Sequence, residues 1–85
     1  MPTVLMYSTQ ICPFCTQAER FLNQKGVQVQ KILVDKNPEQ MTKMIELTGR
    51  RTVPQIFIGN HHVGGFDDLV ELDLDGGLDP LLQAD

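Results

Sequence analysis

Cys12 and Cys15 are the only two cysteines of the chain, and Cys12-Pro13-Phe14-Cys15 is the stretch with the clearest chemical potential. Two thiols at this spacing can pass between dithiol and disulfide, exchanging an electron pair with a partner thiol or disulfide. Proline directly after Cys12 suits the first position of a helix, where its missing N–H is not needed. Cys12 then lies at the helix N-terminus, where unpaired N–H groups and the helix dipole favour a thiolate. Cys15 falls one turn in, on the apolar face. Position therefore makes Cys12 the nucleophile and Cys15 the resolving thiol. A more acidic Cys12 gains more as a leaving group than as an attacking one, because nucleophilicity falls with basicity.

Two other readings of the pair compete. As a structural staple it would close a loop of only four residues, which the chain-entropy relation values at about 2 kcal/mol. As half of a zinc site it would need two more ligands, for which His61 and His62 are the candidates. Adjacent residues of a strand face opposite ways, so both cannot reach one ion. Redox chemistry is the stronger reading, no metal is expected, and the two histidines read as ordinary hairpin residues.

The elements that must hold the pair follow from pattern. Residues 3–7 read as a buried central strand, followed by a helix from Pro13 carrying Cys15, Ala18, Phe21 and Leu22 on one face and ending at Gly26. Residues 27–34 alternate and then turn apolar, as a strand entering the core would. Asn37-Pro38-Glu39 opens a second helix with Met41, Met44 and Ile45 on one face, stopped by Gly49. Residues 54–58, a Gly59-Asn60 turn and residues 61–63 form a hairpin. Gly64-Gly65 precedes a third helix over 67–72, and a short final turn surrounds Leu78, Leu81 and Leu82 with Pro80 at its start. The order β-α-β-α-β-β-α describes an α/β, thioredoxin-like fold with a four-stranded mixed sheet flanked by helices.

At 85 residues the chain is expected to be one domain, 1–85, with a radius of gyration of about 12 Å. Its apolar runs are far shorter than the roughly 18 residues that span a bilayer, and the N-terminus lacks the pattern of a secretory signal. A cytoplasmic monomer without membrane contact is the expectation. Residues 1–60 hold all seven basic residues and four acids, whereas 61–85 hold seven acids and no Lys or Arg, which argues against nucleic-acid binding.

Three segments together, Cys12-Pro13-Phe14-Cys15, Thr52-Val53-Pro54 and Gly64-Gly65-Phe66-Asp67-Asp68-Leu69, resemble the glutaredoxin family, specifically its small bacterial dithiol type. A proline just before a strand either starts it or makes a cis turn that leaves neighbouring backbone free to pair. The resemblance implies the second, with Val53 offering its N–H and C=O to the cysteinyl part of glutathione by strand-like pairing. It also implies that Gly65, Phe66, Asp67 and Asp68, at the start of the third helix, receive the γ-glutamyl end of that ligand, one acid capping and one binding. Thr9 stands where many family members carry Lys and can donate a hydrogen bond but no charge. Arg50 or Arg51 is either a substitute cation or a plain surface residue. Phe14 stands where Tyr is common and keeps an aromatic wall. The implied activity is glutathione-dependent reduction of protein disulfides and glutathione mixed disulfides, with electron donation to reductases such as ribonucleotide reductase. The alternatives are a thioredoxin-like carrier reduced by a flavoprotein, and a module binding a glutathione-ligated iron–sulfur cluster; Asp67, Asp68 and Thr52-Val53 weigh against the first, and Pro13 and the dithiol pair against the second.

Overall fold

The computed structural model describes residues 2–84. Its elements are β1 (Val4–Ser8), α1 (Pro13–Gln24), β2 (Val29–Leu33), α2 (Pro38–Thr48), β3 (Gln55–Ile58), β4 (His61–Gly64), α3 (Phe66–Leu74) and α4 (Leu78–Gln83). The strands form one sheet in the order β2-β1-β3-β4. β1 pairs parallel with β2 and antiparallel with β3, and β3 pairs antiparallel with β4. This is a four-stranded mixed sheet between helical layers, the thioredoxin-like arrangement, with a radius of gyration of 12.0 Å.

The period of two along the strands sorts side chains between two cores. Val4, Met6, Ile56 and Ile58 face one way and pack with Cys15, Ala18 and Leu22 of α1, Leu69 of α3, and Leu78 and Leu82 of α4. Leu5, Tyr7 and Phe57 face the other way and meet Met41, Met44 and Ile45 of α2. Thus α1 and α3 share one face of the sheet, and their N-termini can converge on one site. Phe21 of α1 meets Phe66 of α3 edge-on at 6.3 Å, and Lys25 is bonded to Asp73 and Asp79 at 2.7 and 3.2 Å. Lys25 and Arg50, from the basic part of the chain, thereby engage three of the acids of 61–85.

The helix ends follow the expected chemistry. After α1, Gly26 adopts φ 85°, its N–H bonds Asn23 O, and Val27 N–H bonds Leu22 O, while Val27 and Leu22 both enter the core. Gly49 ends α2 at φ 70°.

Two elements differ from the pattern-based expectation. β2 is an edge strand whose Gln30 and Lys31 are exposed, because it has β1 alone as a partner. The buried valines, Val27 and Val34, flank it rather than lie within it. The final turn is a short helix, α4, since Leu78 and Leu82 at helical spacing both reach the core. No helix among the described residues is long and apolar enough to cross a membrane.

Candidate active site

Cys12 is the N-cap of α1, in extended backbone at φ −150° and ψ 99°. Its sulfur accepts the Cys15 N–H at 3.2 Å, and its carbonyl accepts the Thr16 N–H at 3.1 Å and hydroxyl at 3.2 Å. A sulfur in this position stabilises the helix as a cap and is itself stabilised, most strongly when anionic, by the N–H it accepts. Cys12 and Cys15 are joined as a disulfide, their Cα atoms 5.2 Å apart. Cys15 is 4% exposed, whereas Cys12 is only partly buried, so an incoming sulfur reaches Cys12 first. Ile11, 91% exposed, and Phe14, 57% exposed, flank it with apolar surface. The preceding loop is tied down by Gln10 N–H, which donates to Asp35 Oδ2 at 3.1 Å.

Beside this turn runs a groove of about 170 Å³, which begins at Phe14. One wall is Thr52-Val53-Pro54, with the Val53–Pro54 peptide cis, and the other is the start of α3, from Gly65 to Asp68. The two walls touch: a Cβ placed on Gly65 would lie 3.6 Å from the Pro54 carbonyl oxygen. The groove thus gathers Phe14, Thr52, Val53, Pro54, Gly65, Phe66, Asp67 and Asp68 into one place. Thr9 lies elsewhere, lining a separate depression of about 260 Å³ with Cys12 and Cys15, and its hydroxyl donates to Ile11 O at 3.4 Å.

The two acids of α3 have different surroundings. Asp68 Oδ2 accepts the N-cap Gly65 N–H at 2.9 Å and an Arg50 Nη1–H at 3.0 Å. The Gly65 N–H, and after it the Arg50 guanidinium, hold this carboxyl below its usual range. Gly64, at φ 116°, lies under the same carboxylate; any side chain there would meet Asp68. Asp67 is exposed, lines the groove, and has no hydrogen bond or ion pair among the described residues. The capping acid is therefore Asp68. Arg50 is the arginine that reaches the groove, and Arg51 is not among its lining.

Gln55 lines the groove and was not singled out from the sequence, and His62, read there as a hairpin residue, stands behind it. Gln55 is 1% exposed at the head of β3 and bonds Thr52, and His62 bonds Gln55. The available signal was one amide heading an otherwise apolar strand, Gln55-Ile56-Phe57-Ile58, directly after Pro54. His61 is exposed, and among the described residues no group of three or more His, Cys, Asp or Glu is placed to hold a metal ion.

A disulfide capping a helix in this fold, with the reachable sulfur foremost, defines a thiol–disulfide oxidoreductase of the thioredoxin-like class. Residues 4–63 match the sequence profile described as Glutaredoxin. The chain is 53% identical over 83 residues to a glutaredoxin of Neisseria meningitidis serogroup A, covering 96% of this chain and 98% of that protein. It is 48% identical over 83 residues to glutaredoxin 3 of Escherichia coli K12, covering 98% and 100%. Among solved structures, a buckwheat glutaredoxin–glutathione complex superposes with a TM-score of 0.87 at 32% identity, covering 95% of this chain and 76% of that one. Glutaredoxin from Brucella melitensis superposes at 0.85 with 44% identity, covering 98% and 90%. The chain belongs to the glutaredoxin family.

Proposed function

We propose that the protein is a glutathione-dependent oxidoreductase that reduces glutathione mixed disulfides and protein disulfides. The observation that carries the reading is the continuity of the Cys-Pro-Phe-Cys turn with the groove through Phe14. Glutathione is an extended tripeptide thiol with a carboxylate at each end and one ammonium. Val53 supplies backbone for its cysteinyl residue, the N–H groups opening α3 suit its γ-glutamyl carboxylate, and exposed Asp67 suits the ammonium. A buckwheat relative was solved as a glutathione complex, which supports the same ligand here.

In the reaction, the Cys12 thiolate attacks the glutathionyl sulfur of a mixed disulfide. A Cys12–glutathione bond forms, the old S–S bond breaks, and the substrate sulfur leaves with the electron pair and takes up a proton. The thiolate of a second glutathione attacks the same glutathionyl sulfur, releasing glutathione disulfide and the Cys12 thiolate. With a protein disulfide, Cys12 first forms a mixed disulfide and Cys15 then attacks the Cys12 sulfur. The substrate leaves as a dithiol and Cys12–Cys15 is left oxidised. Two glutathiones restore it, the first attacking accessible Cys12 so that Cys15 departs. Disulfide-forming reductases such as ribonucleotide reductase are suitable acceptors of these electrons, and the cytoplasm, where glutathione is kept reduced, is the suitable compartment.

The test is glutathione-dependent turnover of a glutathionylated peptide by wild type, Cys12→Ser and Cys15→Ser. Cys12→Ser should fall to the uncatalysed rate. Because serine still caps a helix, this loss reports the sulfur rather than the fold. Cys15→Ser should retain turnover of the glutathionylated peptide and lose reduction of a protein disulfide. Inactive wild type with glutathione, but active when coupled to a flavoprotein reductase, would overturn the reading.

A further inference from the structure

We infer that His62, acting through the buried amide of Gln55, is a positioning residue that sets the direction of the Val53 N–H at the groove. A polar side chain as buried as Gln55 destabilises the fold unless its atoms are paired, and here both ends are. Nε2 donates to Thr52 O at 3.0 Å and lies 3.3 Å from Thr52 Oγ1, while Oε1 lies 2.8 Å from His62 Nε2. A carbonyl oxygen only accepts, so the amide nitrogen must face Thr52 and the amide oxygen must face His62. His62 Nε2 therefore carries a proton and donates it. The donors run in one direction, from His62 to Gln55 to Thr52.

The Thr52–Val53 peptide is trans, the cis bond lying one residue later. In a planar trans peptide the C=O and N–H point in opposite directions. Fixing the Thr52 oxygen on buried Gln55 thus turns the Val53 N–H away from the interior, on the residue that lines the groove. That N–H has no hydrogen-bond partner among the described residues. His62 is itself held opposite Phe57 in the β3–β4 register, the two rings 4.9 Å apart and inclined by 31°. The effect on turnover rests on the function proposed above, in which Val53 N–H bonds the ligand; the orientation of the peptide does not.

The test compares His62→Phe, which keeps a ring against Phe57 and removes the donor, with His62→Gln, whose amide N–H can replace Nε2–H. His62→Phe should raise KM for a glutathionylated peptide about 3- to 10-fold with kcat unchanged, the effect of one hydrogen bond. It should also lower the backbone ¹⁵N order parameter of Val53 from a rigid value of about 0.85. His62→Gln should restore both. Gln55→Leu should reproduce the KM rise, and the double variant with His62→Phe should add nothing, since both break one chain. Wild-type values in His62→Phe, or equal defects in His62→Phe and His62→Gln, would overturn the inference. If wild type fails to turn over the peptide, the glutathione reading falls, and the Val53 order parameter still decides the orientation.

Discussion

α1 and α3 lie on the same face of the sheet and both begin at the site, yet they are capped in different ways. At α1 the N-cap side chain is the accessible sulfur of Cys12, bonded to the Cys15 N–H, and no acid lies in the first turn. At α3 the N-cap is Gly65, without a side chain, and the acceptor comes from Asp68 at the third helical position. Under the proposed function the first arrangement joins capping to chemistry, since the N–H at the helix start also favours a Cys12 thiolate. The second separates the two tasks. Asp68 satisfies the Gly65 N–H and pairs with Arg50, which leaves Asp67 exposed on the groove and lets a ligand approach Gly65 backbone without meeting a side chain.

If the α3 cap is this specifically built, disturbing its seat should have the largest effect. Gly64→Ala puts a side chain at φ 116° and aims it at Asp68, with Cβ 2.8 Å from Cγ and 3.0 Å from Cβ of that residue. Backbone strain and the clash together should cost about 2 to 4 kcal/mol. The check is urea unfolding: a lower midpoint at unchanged slope. An unaltered midpoint would mean that Asp68 is free to move and caps nothing.

A smaller effect separates the two acids. Asp68→Ala should cost about 1 kcal/mol of stability through the lost cap. Asp67→Ala should cost no more than about 0.5 kcal/mol, as a surface change at a helix start does. KM for glutathione should move the other way, rising more in Asp67→Ala than in Asp68→Ala. Unfolding curves and glutathione titrations of the two variants would expose an exchange of these roles.

The same contrast explains what the sequence discloses. At α1 the pattern is local: a cysteine, a proline and a second cysteine at helical spacing state the helix start, the capping sulfur and the buried partner within four residues. Pro54 and the pair Asp67-Asp68 were legible as parts of a site through resemblance, and the structure brings them into one groove. Which acid caps was not legible, because it turns on where α3 begins: with Phe66 as its first residue, and not 67 as the pattern suggested, Asp68 stands at the third helical position and reaches the Gly65 N–H. The Gln55–His62 bond crosses a hairpin whose register shifts between Ile56 and Phe57, so counting along the strands does not predict that the two side chains meet. β2 read as a strand entering the core for a related reason: periodicity marks a strand, but which partners it gains is settled by long-range pairing.

The smallest expected effect is in pH. In the oxidised protein neither sulfur titrates, so the α1 end contributes nothing and any local pH dependence belongs to the α3 end. Asp68 is held below its ordinary value of 3.8, first by the Gly65 N–H and then by Arg50. As pH falls through that value the unfolded chain binds a proton that the folded chain does not. The stability Asp68 supplies above it is therefore lost progressively until the folded carboxyl is protonated too. His62 is lowered from 6.5 chiefly by burial and next by Arg50, so it also protonates first in the unfolded chain, and stability declines as pH falls through 6.5. Both groups retain solvent contact, which keeps each decline small. Unfolding midpoints between pH 8 and 3 should show two shallow steps, the upper removed by His62→Phe and the lower by Asp68→Ala. A lower step that survives Asp68→Ala would assign the acid limb to other carboxylates and remove the electrostatic half of the distinction between the two helix ends.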